Sequence, residues 1–120
     1  MEAGLTVQVR NEPEYDVVTV TGEIDVATVA ALREPLNVLA ERGRPVIADL
    51  GQVAFMDASG LGAIVGASRR AAAHGASLHV ICSGRIRQLF RVTGLDRRVL
   101  LARTLDEALR DLQSGQQKPR

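Results

Sequence analysis

The segment Phe55-Met-Asp-Ala-Ser-Gly-Leu-Gly62 holds the densest group of residues in this chain that could do chemistry. Asp57 and Ser59 can each cap a helix, and Gly60 and Gly62 let the backbone approach its neighbours closely. A serine hydroxyl at the positive end of a helix is also a favourable place for a phosphoryl group, whose charge is about −2. The residues therefore predict either a simple capped helix start or a site that holds a phosphoryl group.

Other chemistries fit the sequence less well. Ser59 lies in Asp-Ala-Ser-Gly rather than Gly-x-Ser-x-Gly, so the strained turn of a hydrolase nucleophile is missing. His74 and His79 have no cysteine or acidic residue at metal-ligand spacing. Cys82 closes an apolar strand, and we expect it to be buried and inert, with a redox role as the alternative. We expect no enzyme activity, metal or cofactor; a small enzyme using Ser59 with a histidine is the competing interpretation.

Composition limits the classes of protein further. The chain has 120 residues, of which 15 are Lys or Arg and 14 are Asp or Glu, with a single cysteine. This length predicts one domain at 1–113, followed by a flexible tail at 114–120. The net charge of +1 argues against a dedicated nucleic-acid binder. No apolar run approaches the roughly 18 residues of a membrane span, and no basic region precedes an apolar block, so we expect a cytoplasmic protein.

Hydrophobic periodicity predicts the elements that position these residues. Leu5–Val9 and Val17–Val20 alternate apolar and polar residues, which indicates an antiparallel hairpin whose second strand ends before Gly22. Asp25 is a good N-cap for the first helix, and Pro35 predicts a kink or break within it. Further along, the pattern predicts, in order, a buried strand at Pro45–Leu50 followed by a loop, a helix ending at Gly75, a strand at Ser77–Cys82, a short helix closed by Gly94, a strand at Val99–Leu101, and a last helix opened by a Thr104/Glu107 capping box.

This order, β-β-α-β-α-β-α-β-α, predicts an α/β fold. Alternating strands and helices favour parallel strands joined by right-handed crossovers. We therefore expect a mixed sheet with an N-terminal antiparallel hairpin, mostly parallel strands after it, and about four helices.

Three stretches carry a resemblance to a known family. Thr21-Gly-Glu-Ile-Asp25, Val46-Ile-Ala-Asp-Leu50 and Phe55–Gly62 resemble the successive signatures of the STAS family, in particular the bacterial anti-sigma factor antagonists. The resemblance runs from about Leu5 to about Leu112. It implies a STAS-like fold and a protein that binds an anti-sigma factor of the serine-kinase type and so frees a sigma factor for transcription. It also implies that the kinase ends the interaction by phosphorylating a serine at the start of the second helix, and that a phosphatase restores it.

The sequence departs from the family pattern at one position. The serine that the family phosphorylates directly follows the aspartate, and here that position is Ala58. The next residue, Ser59, keeps a hydroxyl and is the phosphorylation candidate. Either Ser59 takes the phosphate in a shifted geometry, or this protein is not switched off by phosphorylation.

The resemblance also implies a partner-binding surface around this segment. We expect a monomer or weak dimer that uses Glu23, Asp25, Asp57, Ala58, Ser59, Gly60, Gly62 and Arg69 for contact. The alternative within the family is a STAS subunit of a lipid-transport or stress-signalling assembly. A basic stretch is interpreted either as a solvated helix face or as a docking surface for an acidic partner; its members are Arg85, Arg87, Arg91, Arg97, Arg98 and Arg103.

Overall fold

The computed structural model describes residues 4–114, which form five strands and four α-helices. The elements are β1 (Leu5–Asn11), β2 (Asp16–Ile24), α1 (Val29–Ala40), β3 (Val46–Met56), α2 (Ala58–Ala73), β4 (Leu78–Ile81), α3 (Gly84–Val92), a 3-10 helix (Leu95–Arg97), β5 (Leu100–Ala102) and α4 (Leu105–Gln113). The predicted order of strands and helices is confirmed. The predicted tail from residue 115 onward lies outside the described residues.

The five strands form one sheet in the order β1-β2-β3-β4-β5. β1 pairs with β2 antiparallel, with Val7 opposite Val20, and the remaining neighbours pair in parallel. The predicted mixed sheet is therefore confirmed. Because β2 and β3 are parallel, their carboxyl ends lie at the same edge of the sheet, and the loops that follow them are neighbours.

Helices cover both faces of the sheet unequally. The larger core cluster packs α1, α2 and α3 against one face and includes Leu32, Ile64 and Phe90. The smaller cluster packs α4 against the other face through Ala108. Burying a leucine, isoleucine or phenylalanine side chain contributes about 1.5–3 kcal/mol, so the three-helix face supplies most of the hydrophobic stabilisation.

Two strands are longer than the sequence predicted. β2 continues through Gly22 to Ile24, and β3 continues through Gly51 to Met56 instead of giving way to a loop. The prediction that these strands stop at their glycines was wrong because the glycines lie at irregularities in the β2–β3 pairing rather than at its end. Gly22 has a φ of 115°, and a Cβ there would collide with the carbonyl oxygen of Gly4.

The first helix also differs from the prediction. Asp25 is not its N-cap, since α1 begins at Val29 with Thr28 in the cap position. The Asp25 carboxylate instead accepts backbone hydrogen bonds from Ala27 and Thr28 in a turn before the helix. The three residues between Asp25 and Val29 form this turn, and periodicity alone does not separate such a turn from a first helical turn.

Of the kink or break predicted at Pro35, the break is wrong, because α1 is one continuous helix with the proline inside it. An interior proline costs about 3 kcal/mol through a lost hydrogen bond and a clash with the preceding turn. Leu32, Leu36 and Leu39 are buried on both sides of it. At about 1.5–3 kcal/mol for each leucine, their burial outweighs the cost of keeping the helix intact.

The predicted capping box of the last helix is confirmed. The Thr104 hydroxyl accepts a hydrogen bond from the Glu107 backbone N–H at 3.1 Å. The Glu107 carboxylate accepts in turn from the backbone N–H of Arg103, one residue before the cap. Within residues 4–114, no helix has both the length and the apolar character that crossing a bilayer requires.

Candidate functional site

The candidate site lies where the carboxyl ends of β2 and β3 meet. Glu23 pairs with Phe55 and Ile24 with Met56, and the Asp57 backbone N–H donates to the Ile24 carbonyl at 3.1 Å. The loop between β2 and α1 therefore lies directly beside the turn that enters α2. The structure brings together the acidic loop and the Asp-Ala-Ser-Gly segment, as the partner-surface prediction requires.

Asp57 caps α2. Its backbone is extended, with φ −106° and ψ −168°, and its Oδ1 accepts hydrogen bonds from the Ser59 N–H at 2.9 Å and the Ser59 hydroxyl at 2.5 Å. The Asp57 carbonyl accepts from the Gly60 N–H at 3.1 Å. The capping prediction for Asp57 is confirmed, and the Ser59 hydroxyl is held by the same carboxylate.

The turn holds a stable negative charge. The hydrogen bond from the Ser59 hydroxyl is the main reason that the pKa of Asp57 is lowered, and the backbone N–H groups of Ser59, Gly60 and Val26 lower it further. Desolvation opposes these effects without reversing them. Asp57 is therefore ionised at neutral pH.

The β2–α1 loop is held in shape by its own polar groups. The Thr28 hydroxyl donates to the Glu23 carbonyl at 2.8 Å, and the Asp25 carboxylate accepts from the Ala27 N–H at 2.9 Å. The loop thus presents Val26 outward with 82% of its surface exposed. Val26 therefore adds exposed apolar area beside the turn that enters α2.

The two glycines of the segment have different roles. Gly60 is buried, and a Cβ there would collide with Met56 and lie 2.8 Å from Ile24 Cγ2. It permits close packing of α2 on the ends of β2 and β3, as predicted. Gly62 is exposed, and a Cβ there would meet nothing within 4 Å. Gly62 therefore leaves open surface on α2 and is not needed for packing within the chain.

Exposure divides the segment into accessible and recessed positions. Ala58 is exposed, whereas Asp57 and Ser59 are half-buried. Arg69 is exposed further along α2, about 16 Å from Ala58 by the helical rise. Around the helix axis, the two side chains leave the backbone at angles that differ by only about 20°. The structure therefore puts Ala58, Gly62 and Arg69 on one side of the helix, with Arg69 outside the turn itself.

Sequence reasoning missed two residues of this surface. Val26 and Phe55 are exposed apolar side chains on either side of the polar turn, and Phe55 is 50% exposed. Strict alternation along β3 would put Phe55 on the same face as Val53, toward the core. The pairing register shifts between Gly22 and Glu23, and this irregularity turns Phe55 outward while Met56 is buried. Periodicity alone carries no signal for such a shift.

Neither histidine can serve Ser59 as a base in this arrangement. His74 ends α2, and its Nδ1 lies 2.9 Å from the Arg70 carbonyl oxygen. His79 is buried on β4, where its Nε2 lies 3.0 Å from the Ser77 hydroxyl, and burial lowers its pKa. The Ser59 hydroxyl is instead bonded to Asp57. The geometry therefore does not assemble the serine–histidine pair that the enzyme interpretation needs.

Cys82 is buried, as predicted, with 1% of its surface exposed. Burial raises the pKa of its thiol to about 11, against smaller opposing effects from Arg87 and Arg103. The thiol is therefore protonated at neutral pH and is a poor nucleophile.

Comparison with known proteins agrees with this geometry. The family model described as "STAS domain" matches residues 6–108. The anti-sigma-B factor antagonist of Bacillus subtilis is 38% identical over 92 residues, which cover 76% of this chain and 84% of that protein. The crystal structure of an anti-sigma factor antagonist from Mycobacterium paratuberculosis superposes with a TM-score of 0.86 at 27% identity, covering 94% of this chain and 97% of the other.

A third relative is known in a modified state. The Bacillus cell fate determinant SpoIIAA in its phosphorylated form superposes with a TM-score of 0.64 at 26% identity, covering 89% of this chain and 99% of the other. The family model spans most of the described residues, and the identity to the Bacillus subtilis protein extends over three quarters of the chain. This chain belongs to the STAS domain family.

Proposed function

We propose that this protein is an anti-sigma factor antagonist, which binds an anti-sigma factor and thereby frees a sigma factor to activate transcription. One observation carries the proposal: the turn entering α2 faces solvent beside an ordered acidic loop. The 38% identity to an anti-sigma-B factor antagonist supports the same conclusion. The protein acts by binding, and catalysis belongs to its partner.

The contact surface combines apolar and charged groups. Val26 and Phe55 supply exposed apolar area, and Glu23, Asp25 and Asp57 surround the turn with carboxylates. Burying exposed apolar side chains supplies binding energy, and the fixed carboxylates select a partner with complementary positive groups. The proposed partner surface also includes Ala58, Ser59, Gly62 and Arg69, whereas the predicted partner contact by Gly60 is wrong because Gly60 is buried beneath the turn.

Phosphorylation of Ser59 would reverse this interaction. The Ser59 oxygen would attack the terminal phosphorus of ATP on a serine-kinase anti-sigma factor, breaking the bond to ADP as the hydroxyl proton leaves to a base. The phosphate would then carry up to two negative charges beside Asp57, whose carboxylate now accepts the Ser59 hydroxyl. The hydrogen bond is lost and like charges face each other, so the turn must rearrange. A phosphatase would restore the original contact.

Ala58 favours the alternative that this protein is a constitutive antagonist. It holds the exposed position directly after the capping aspartate, whereas Ser59 is half-buried and bonded to Asp57. A kinase therefore reaches position 58 more easily than position 59. A methyl group at position 58 leaves the surface permanently unmodified. We place the interaction in the cytoplasm, with the protein acting as a monomer or weak dimer.

The test combines binding and phosphorylation in one assay. Purified serine-kinase anti-sigma factors from the same organism are incubated with ATP and with the wild type, Ser59→Ala or Ala58→Ser, and complexes and phosphopeptides are then measured. We expect a complex with the wild type. Phosphate on Ser59 that is absent from Ser59→Ala supports the shifted switch. Phosphate gained only by Ala58→Ser supports a constitutive antagonist.

Two other results would contradict the proposed function. If none of the kinases binds the wild type, the proposal is wrong. If the protein instead purifies with a membrane transporter ATPase or within a large multimer, the lipid-transport or stress-signalling alternative takes its place. Ala30→Ser on the exposed side of α1 is the control for adding a hydroxyl elsewhere on the surface, and it should remain unphosphorylated.

A further inference from the structure

Helix α3 has apolar residues on two sides. Ile86 and Phe90, four residues apart, are buried in the core. Leu89 packs in part against the same core, and it shares a second helix face with Arg85 and Val92, because residues three, four and seven apart lie on one face. Leu89 is half-buried and Val92 is 67% exposed. A helix that needed only to cover the sheet would keep this second face polar.

A groove lies between this outward face and the end of β3. We define the α3 groove by Ala54, Phe55, Arg85, Gln88 and Leu89, which line it together with the buried Met56 and Ile86. Its origin is a mismatch in strand length. β4 pairs only with Val46–Asp49, so the remainder of β3 has no strand neighbour on that side. The exposed ring of Phe55 forms one wall.

Among the described residues, the groove is lined by one cation, Arg85, and by no acidic residue. Six arginines lie between positions 85 and 103 against one acid, Asp96, although the whole chain has a net charge of only +1. None of the six is in an ion pair within residues 4–114. Arg85 lines the groove, and Arg91 is exposed on the same helix. Positive charge without internal partners is complementary to an acidic ligand.

We propose that the α3 groove is a second docking surface that receives an acidic segment of the anti-sigma factor, with an apolar side chain of that segment inserted beside Phe55. This inference rests on the proposed function. Phe55 is two residues from Asp57, so a partner seated on the turn entering α2 reaches the groove without leaving the surface. The carboxylates of the segment would face Arg85.

Matched substitutions test the groove separately from the turn. Arg85→Glu changes a side chain that lines the groove, and Val92→Ser changes the exposed apolar side chain one helical turn beyond Leu89. Arg33→Glu and Val38→Ser make the same changes at exposed positions of α1. Affinity for the anti-sigma factor that binds the wild type is measured by calorimetry, and association rates are measured at 50 and 300 mM salt. We expect roughly 5-fold or greater loss for each groove variant and less than 2-fold change for each control. Arg85→Glu should also reduce the salt dependence of the association rate.

A photo-crosslinking amino acid at Gln88 identifies what occupies the groove. We expect it to capture a segment of the anti-sigma factor rich in Asp and Glu with an apolar residue, and the same probe at Val38 to capture none. Capture of a second copy of this chain, of nucleic acid, or of a basic segment would overturn the inference.

The two proposals fail in different ways. If Ala58→Glu abolishes binding while Val92→Ser and Arg85→Glu bind like the wild type, the groove inference is wrong and the proposed function stands. If no anti-sigma factor binds the wild type, the proposed function is wrong and the groove inference falls with it.

Discussion

Replacing Gly60 with alanine should destabilise the protein, because the space for a Cβ is already filled. That atom would collide with Met56 Cγ and lie 2.8 Å from both Met56 Sδ and Ile24 Cγ2. Met56 and Ile24 are themselves buried at the ends of β3 and β2. Both side chains would have to repack within the core to make room for the added methyl group.

Gly62 provides a matched control two residues further along the same helix, since a Cβ there meets nothing within 4 Å. Alanine in place of glycine in a helix gains about 0.5–1 kcal/mol. Overpacking a filled core costs about 1–3 kcal/mol. We therefore expect Gly62→Ala to be stabilised by up to about 1 kcal/mol and Gly60→Ala to lose about 1–2 kcal/mol net.

Urea unfolding followed by circular dichroism measures both free energies. In thermal unfolding, a domain of this size shifts its Tm by about 4 °C per kcal/mol, so the two variants should move in opposite directions. Gly60→Ala should also bind the anti-sigma factor more weakly, because the turn entering α2 is displaced. Equal stabilities for the two variants would refute the close packing of α2 on Ile24 and Met56.

Three further predictions concern other parts of the fold. Burial lowers the pKa of His79, so the folded protein favours the neutral imidazole. The folded protein therefore keeps its full stability above the unfolded pKa of about 6.5. Below that pH the free energy of unfolding falls, by at most about 1.4 kcal/mol per pH unit. Urea unfolding between pH 7.5 and 5.5 should show this slope, with His79→Gln removing it and His74→Gln leaving it. Since the pKa of the Cys82 thiol is raised to about 11, Ellman's reagent at pH 8 should leave the folded protein unmodified and react in urea; rapid reaction of the folded protein would contradict its burial. Thr104→Ala should cost about 1 kcal/mol of unfolding free energy and Thr104→Ser much less, because only the serine keeps the hydroxyl that caps α4.

The order of elements could be predicted from the sequence because each helix and strand carries a clear local pattern. Asp57 and Thr104 were predicted as caps because a cap depends on residues within one turn. The continuous helix through Pro35 was missed because its stability comes from leucines packed against the sheet, which no local pattern measures. The full length of β2 was missed because Gly22 looks like a stop unless its partner strand is known.

The residue types of the candidate site could be predicted from the sequence, but the exposure of its apolar side chains could not. The polar residues of the turn and the loop follow from the sequence, and the structure brings Glu23 and Asp57 to one edge of the sheet. The exposure of Phe55 depends on a shifted strand register, and the free edge beside it depends on the short β4. Both are properties of pairs of strands, so neither is visible in any single segment of the sequence.

Binding of the anti-sigma factor at the turn entering α2 can be followed residue by residue. Backbone amide chemical shifts of the isotope-labelled protein are recorded during titration with the anti-sigma factor. We expect the largest changes at 23–28 and 55–62, with smaller changes along α3 and little change in α4. If the changes are confined to α4 and β1 and the turn is undisturbed at saturation, the partner binds elsewhere.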